Sequence, residues 1–139
     1  MEILMALAVT GILALVALPS LSDSLDPYEA VSEARTVHSR LVEARGRAVA
    51  EQRPVRVAFE AGSIYRMAYW SAGAWHTIGG VDTVAPGVSL SINGSSDGVV
   101  RFASHGRPDE VATIVLDDGD HDQQIQVLAS GMALWSANP

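Results

Sequence analysis

The most restrictive feature of the chain is an uncharged apolar run near its start, from Ile3 to Leu18, in which Thr10 is the only polar side chain. As an α-helix the run would extend roughly 24 Å, close to the roughly 30 Å of a bilayer's hydrocarbon core. A helix in a soluble core has one apolar face, whereas this run is apolar on all sides. It therefore predicts a helix surrounded by lipid or by other helices. Its flank, Met1-Glu2, is acidic, unlike the basic flank of a secretory signal peptide.

The composition limits what the rest of the chain can be. Of its 139 residues, 48% are hydrophobic and 18% are charged, which is enough apolar material for one core in addition to the apolar run. The formal net charge of -7 repels nucleic acid phosphates and offers no polybasic anchor for acidic lipid. Cysteine is absent, which excludes disulfides, thiolate metal sites and thiol nucleophiles.

A second helical segment follows the apolar run. Asp26 is placed to cap a helix and Pro27 to occupy its first turn. From Tyr28 to about Gln52, small or apolar residues recur at helical spacing with charged residues between them. This pattern predicts an amphipathic helix that packs on the rest of the chain, the head, through one stripe. The stripe consists of Val31, Ala34, Val37, Leu41, Ala44 and Ala48.

The remainder of the sequence has the pattern of short strands. Pro54 ends the helix, and the apolar period then changes to two at Val55, Val57 and Phe59. Seven further strands are predicted at 64–70, 75–78, 88–92, 99–103, 111–116, 125–129 and 133–135, mostly separated by glycine. A long helix followed by antiparallel strands predicts an α+β fold, in which the helical stripe covers one face of the sheet.

The N-terminal run also carries a family pattern, E-x-L-M-x5-G-I-L-A-x2-A-x-P-S, from Glu2 through Gly11 and Pro19 to Ser20. It resembles the N-terminal helix of type IV pilins and type II secretion pseudopilins. The resemblance implies a pilin-like fold, a long N-terminal α-helix packed by its C-terminal half against an antiparallel β-sheet head. It divides the chain into a membrane-inserting, filament-core half-helix at 1–26 and a head at 27–139. The head would comprise the amphipathic helix at about 27–52 and a β-rich region at about 54–136.

The resemblance assigns assembly roles to three residues of the run. Glu2 takes the position of the family's glutamate, whose charge pairs with the N-terminal amine of a neighbouring subunit. Gly11 and Pro19 would allow close helix packing and bending, because glycine removes a side chain and proline removes a helical hydrogen bond. In this alignment Met1 takes the fourth mature position. The family's leader and its Gly-Phe processing site are not part of the sequence, so neither processing nor methylation is inferred.

Looser motifs in the head are similar to those of GspH/FimT-type pseudopilins. They are Arg53-Pro54-Val55, Ala85-Pro86-Gly87-Val88, Val100-Arg101-Phe102, His105-Gly106 and Ser130-Gly131-Met132. The resemblance implies a non-enzymatic subunit of a type IV pilus or pseudopilus filament, without a cofactor. Its expected partners are other pilin subunits, joined through the apolar helices, and the pilus assembly machinery. Its expected location is the bacterial inner membrane before assembly and an extracellular or periplasmic filament afterwards.

A second hypothesis is a minor or tip pilin whose head binds DNA or a secreted protein. Some FimT-type pilins bind DNA through a basic stretch after the last strand, but 135–139 of this chain contains no cation. DNA is therefore not the expected partner. A third hypothesis, a membrane-anchored hydrolase, has no G-x-S-x-G element or other catalytic motif to support it.

One acidic segment has the composition of a Ca²⁺ ligand set. Its four carboxylates belong to Asp117, Asp118, Asp120 and Asp122. The spacing departs from that of an EF-hand loop, so a charged hairpin turn is favoured and no metal is expected. The four histidines lack metal-ligand spacing. The three tryptophans are expected in the core or at a subunit interface. The arginines around the helix end are expected on a solvated face or in salt bridges between subunits.

Overall fold

The computed structural model describes residues 26–60 and 63–138, which form one helix followed by eight strands. The predicted assembly residues Glu2, Gly11 and Pro19 lie outside these residues. In chain order the elements are α1 (Asp26–Ala50), β1 (Val55–Glu60), β2 (Ile64–Ser71), β3 (Ala74–Thr83), β4 (Ser89–Asn93), β5 (Val99–Phe102), β6 (Ala112–Asp117), β7 (Asp122–Val127) and β8 (Ala133–Asn138).

The helix α1 ends two residues earlier than the sequence predicts, at Ala50 rather than Gln52. Gln52 has a φ of 55°, in the left-handed region that commonly terminates a helix. The backbone amide of Arg53 still donates to the carbonyl of Ala48 at 3.2 Å, which closes the last turn. Pro54 follows and prevents further helical hydrogen bonding.

The strands form two antiparallel sheets rather than the single sheet that the sequence predicts. The first sheet has the order β3-β2-β1-β5, and the second has the order β4-β6-β7-β8. The chain leaves the first sheet after β3, forms β4, and then returns so that Val100 of β5 pairs with Val57 of β1. Period-two patterning predicts a strand from its own residues but does not identify its partner, so this exchange between sheets has no local signal.

The strand β3 is longer than predicted and reaches Thr83, which pairs with Ile64. A register shift between Tyr65 and Met67 allows the pairing to continue past the Gly79-Gly80 step. A bulge of this kind increases the local twist of a sheet. The long strand β3 forms one edge of the first sheet.

The core lies between α1 and both sheets. Val55, Val57 and Phe102 enter it from the first sheet, whereas Ile114 and Ile125 enter it from the second. These side chains are at most 1% exposed. One helix therefore joins two sheets in a single hydrophobic core, and the α+β, pilin-like fold expected from the sequence is confirmed.

Candidate assembly surfaces

The face of α1 that contacts the head consists mainly of alanine. Five members of the predicted stripe have no exposed surface, namely Ala34, Val37, Leu41, Ala44 and Ala48, while Val31 is partly exposed. These small side chains allow the helix backbone to lie close to both sheets. The helix α1 contacts β1, β2 and β5 of the first sheet and β6, β7 and β8 of the second. Leu41 is the largest of the five, and it is fully buried in the core that the helix shares with both sheets.

Hydrogen bonds fix the axial position of the helix against the strand β8 and the connection from β5 to β6. His38 Nε2 donates to the carbonyl oxygen of Ala133 at 3.0 Å. Arg45 Nε donates to the carbonyl oxygen of Gly106 at 3.3 Å. Gly106 lies in the connection from β5 to β6, and Gly131 lies beside it in the connection from β7 to β8. The two sheets therefore meet at the C-terminal part of α1 through glycine turns.

Outside the face that contacts the head, α1 carries an exposed apolar surface, the outer helix stripe, formed by Val42, Gly46 and Val49, of which Val49 also borders Gly106. Val42 is 51% exposed and Val49 is 44% exposed. A Cβ atom at Gly46 would meet no other atom within 4 Å. Residues spaced by four and three share one side of a helix, so the stripe is continuous. An exposed apolar surface with a small residue at its centre is suited to close contact with another helix.

A charged network lies alongside the outer helix stripe. Glu43 accepts hydrogen bonds from Arg47 at 2.9 Å and from Arg40 at 3.1 Å. Arg40 also reaches Asp82 at 3.2 Å and so ties α1 to β3. The hydrogen bond from Arg47 is the largest influence that lowers the pKa of Glu43. All of these groups are substantially exposed, so each pair contributes little to stability.

The acidic segment 117–122 is the turn between β6 and β7. Asp117 Oδ1 accepts the amide of Gly119 at 2.6 Å, and Asp118 Oδ1 accepts the amides of Asp120 and His121 at 3.0 and 2.8 Å. Burial opposes ionisation of Asp118, but these backbone donors outweigh it and lower its pKa. The carboxylates therefore bond to the turn itself, as is typical of aspartates in tight turns. Within residues 26–60 and 63–138, no group of three His, Asp or Glu side chains is placed to hold a metal ion.

Three of the histidines are also far apart in the folded chain. His76 stacks on Tyr69 with ring centroids 5.3 Å apart, and its Nε2 donates to the carbonyl oxygen of Ser71 at 3.2 Å. His121 approaches Asp118 at 3.8 Å in the acidic turn. Since His38 bonds to β8 as described, these three side chains have local partners and do not converge on one site.

The tryptophans occupy two different environments. Trp135 packs against the core, and its Nε1 donates to Gln123 Oε1 at 3.1 Å. Trp70 and Trp75 pair across β2 and β3 on the outer face of the first sheet, where Trp70 is 40% exposed. Their ring centroids are 5.3 Å apart at an interplanar angle of 63°. The sequence-based expectation of core or interface positions does not distinguish these two environments.

Two arginines complete this outer face, and with the two tryptophans they form what we term the arginine–tryptophan face: Arg56, Trp70, Trp75 and Arg101. The guanidinium carbon of Arg56 lies 4.4 Å from the centroid of Trp75. Arg101 forms an ion pair with Asp97. Arg56 alternates with the apolar Val55 and Val57, and this period of two places it on the outer face of β1.

A helix joined to two antiparallel sheets, with apolar and charged surfaces on the outer side of the helix, defines a pilin-like head. The family described as type II transport protein GspH matches residues 33–131, so the chain belongs to the GspH family. The resemblance to GspH/FimT-type pseudopilins stated from the sequence is thereby confirmed. No curated protein matches the chain significantly by sequence.

Two solved structures illustrate the similarity of fold. The minor pseudopilin EpsH from the type II secretion system of Vibrio cholerae is 15% identical, with a TM-score of 0.68 over 78% of this chain and 97% of that chain. The type IV minor pilin FimU of Pseudomonas aeruginosa is 16% identical, with a TM-score of 0.66 over 83% of this chain and 92% of that chain. In the part of the chain that the structure describes, no helix has the length and hydrophobicity needed to cross a membrane.

Proposed function

We propose that the chain is a structural, non-enzymatic subunit of a type IV pilus or type II secretion pseudopilus, and that it assembles through its apolar N-terminal helix. The observation that carries the proposal is the division of α1 into a fully buried stripe and the exposed outer helix stripe of Val42, Gly46 and Val49. The head occupies one side of the helix and leaves the other available for neighbouring helices. Membership of the GspH family supports the same role.

Within this role we favour a minor subunit. EpsH is a minor pseudopilin and FimU is a type IV minor pilin, and both share the fold of this chain. A minor subunit is surrounded by other members of the filament, so its partners would be different pilin subunits together with the assembly machinery. The chain would reside in the bacterial inner membrane before assembly and in a periplasmic or extracellular filament afterwards.

The apolar residues at 1–26 would supply the membrane-inserting and filament-core half of the helix. Glu2 is the carboxylate at the edge of this segment, and a charge there costs a few kcal/mol unless it finds water or a cation. Pairing with the N-terminal amine of a neighbouring subunit would remove that cost and set the position of the subunit. Gly11 would allow close helix approach, and Pro19 would allow the helix to bend.

Substitution of Glu2 tests this proposal in the source cells. Glu2→Ala and Glu2→Gln should both leave the chain in the membrane at normal levels and remove it from the filament fraction. Glu29→Ala is the matched control, because Glu29 is an exposed carboxylate on α1 and its loss should leave incorporation unchanged. Normal incorporation of Glu2→Ala would refute the role of Glu2 in assembly.

A further inference from the structure

The arginine–tryptophan face contains an unusual pair of like charges. Arg56 and Arg101 stand directly opposite each other on the neighbouring strands β1 and β5. Like charges in this position destabilise a sheet, because their side chains project from the same face at close range. Burial, followed by the charge of Arg101, lowers the pKa of Arg56. The pair therefore costs stability unless carboxylates offset both charges.

The two arginines differ in their partners. Arg101 is paired with Asp97, and Arg66 on the same outer face is paired with Glu60 at 2.8 Å. Among residues 26–60 and 63–138, no carboxylate lies within ion-pair distance of Arg56. The Nε atoms of Arg56 and Arg66 are both buried without a hydrogen-bond partner, so this property does not distinguish the two arginines. Arg56 is partly exposed, and of the three arginines it is the one without a carboxylate partner, so it is the cation that an external anion would pair with.

An apolar cleft lies next to this cation. It has a volume of about 340 Å³ and is lined by Pro54, Trp70, Trp75, Arg101, Phe102, Ala103 and Asp109. Trp75 is shared between the two features, since it lines the cleft and stacks under Arg56. A ligand that fits both would place an apolar or aromatic group in the cleft and an anionic group a few ångströms away.

The charge of the surroundings selects the kind of anion. Asp97 and Asp109 border the face, Glu60 lies beyond it, and the whole chain has a net charge of -7. The phosphodiester backbone of a nucleic acid would meet these carboxylates on either side of Arg56 and would be repelled. A single carboxylate can pair with Arg56 while an uncharged apolar side chain next to it occupies the cleft that Asp109 borders. The local charge pattern thus favours a polypeptide segment over a nucleic acid.

We infer that the arginine–tryptophan face is a docking site for an acidic segment of a neighbouring, different filament subunit. The segment carries an aspartate or glutamate that pairs with Arg56 and an adjacent apolar side chain that enters the cleft lined by Pro54, Trp70 and Trp75. A charge-assisted hydrogen bond to a guanidinium gives directional recognition, and an aromatic pocket beside it supplies buried apolar area. This inference rests on the proposed filament role.

The position of the face indicates where that neighbour lies. Pro54 lines the cleft and lies four residues after Ala50, the C-terminal end of α1. The 25 residues of α1 extend about 37 Å. The docking site is therefore at the end of the head remote from Asp26, where α1 begins, and its occupant is a subunit packed against that distal end.

The indole N–H signals of the three tryptophans provide a direct test by nuclear magnetic resonance, with the full chain in detergent micelles. The probe is an acetylated peptide, Gly-Leu-Asp-Leu-Gly, and its matched control has Asn in place of Asp. The Asp peptide should shift the signals of Trp70 and Trp75 and leave that of Trp135 unchanged. The Asn peptide should bind about tenfold more weakly or less, because it lacks the charge that pairs with Arg56.

Two variants make the test specific. Arg56→Gln should weaken binding of the Asp peptide about tenfold, whereas Arg66→Gln should have little effect, because Arg66 already has Glu60 as its partner. Melting curves of both variants establish that they are folded. Equal binding of the Asp and Asn peptides, unchanged binding to Arg56→Gln, or the absence of a shift at Trp70 and Trp75 would overturn the inference. Tighter binding of a short oligothymidylate than of the Asp peptide would overturn it in favour of nucleic acid.

A genetic test in the source cells identifies the partner. Arg56→Glu should reduce filament formation or secretion at normal membrane levels of the chain, and an Asp or Glu to Arg change in another filament subunit should restore it. Restoration only by changes outside the filament subunits would contradict the inference. Failure of the proposed function differs in outcome from failure of this inference. If the proposed function is wrong, Glu2→Ala has no effect on filaments in cells, while the Asp peptide still shifts the signals of Trp70 and Trp75.

Discussion

A Cβ atom on Gly131 would lie 1.9 Å from the carbonyl oxygen of Gly106. The two glycines have φ values of 84° and 81°, and each closes a turn of a different sheet. Arg45 of α1 donates to the same carbonyl oxygen. The motifs His105-Gly106 and Ser130-Gly131-Met132, which are similar to motifs of the family, therefore lie where two turns of the head contact each other and the helix.

Gly131→Ala should destabilise the chain by about 2 kcal/mol or more, because it adds a steric clash to an unfavourable left-handed conformation. The matched control is Gly119→Ala. Gly119 also has a positive φ, of 96°, but a Cβ atom there would meet no other atom within 4 Å. Thermal unfolding of the full chain in detergent measures both effects. Equal destabilisation by the two substitutions would show that the close contact between Gly106 and Gly131 is unimportant.

Leu41→Ala should reduce the free energy of unfolding by about 2 to 5 kcal/mol, because it opens a cavity between α1 and the two sheets. The neighbouring Val42 projects away from the head and is half exposed. Val42→Ala should change stability by less than about 0.5 kcal/mol. Denaturant unfolding of the two variants gives the comparison, and similar losses would contradict the assignment of a buried and an outer face to α1.

Replacement of both Val42 and Val49 by Asp should leave the head folded and reduce incorporation into filaments. Charge on the outer helix stripe would have to be buried without a partner if that surface packs against other helices. The measurement is the amount of the chain in sheared filaments relative to the membrane. Thr36→Asp, on an exposed position of the same helix, is the control and should be tolerated. Full incorporation of the double variant would exclude the stripe from assembly.

The network around Glu43 predicts a dependence of stability on pH. The pKa of Glu43 is lower in the folded chain than its ordinary value of 4.5, mainly because Arg47 donates to the carboxylate. The contribution of Glu43 is therefore present above pH 4.5 and is lost as the pH falls through the lower, folded-state pKa. Glu43→Gln should reduce this acid-side loss, as measured by unfolding at several pH values. An unchanged pH profile would contradict the role of the pair, and high salt should weaken the effect.

The sequence predicts the helix, all eight strands and the buried stripe's spacing because these patterns are local. It does not predict the division into two sheets, since the pairing of Val57 with Val100 joins residues far apart in the chain. The arginine–tryptophan face is not predicted for the same reason. Arg56 and Arg101 are recognisable as opposed charges only when β1 and β5 are known to be neighbours.

The Ca²⁺ interpretation of 117–122 depends on geometry that composition does not contain. The Oδ1 atoms of Asp117 and Asp118 accept hydrogen bonds from backbone amides of their own turn, which gives these two carboxylates a role in the turn. The assembly roles proposed for Glu2, Gly11 and Pro19 come from the family pattern, and the Glu2→Ala substitution tests the first of them.

The most direct measurement of the central claim is electron cryo-microscopy of filaments sheared from the source cells, with an antibody against the head locating the chain. We predict that the chain is present in these filaments, that its helix lies within the filament core, and that Glu2→Ala removes it. Retention of the wild-type chain in the membrane, with filaments that are unchanged when its gene is deleted, would contradict the account.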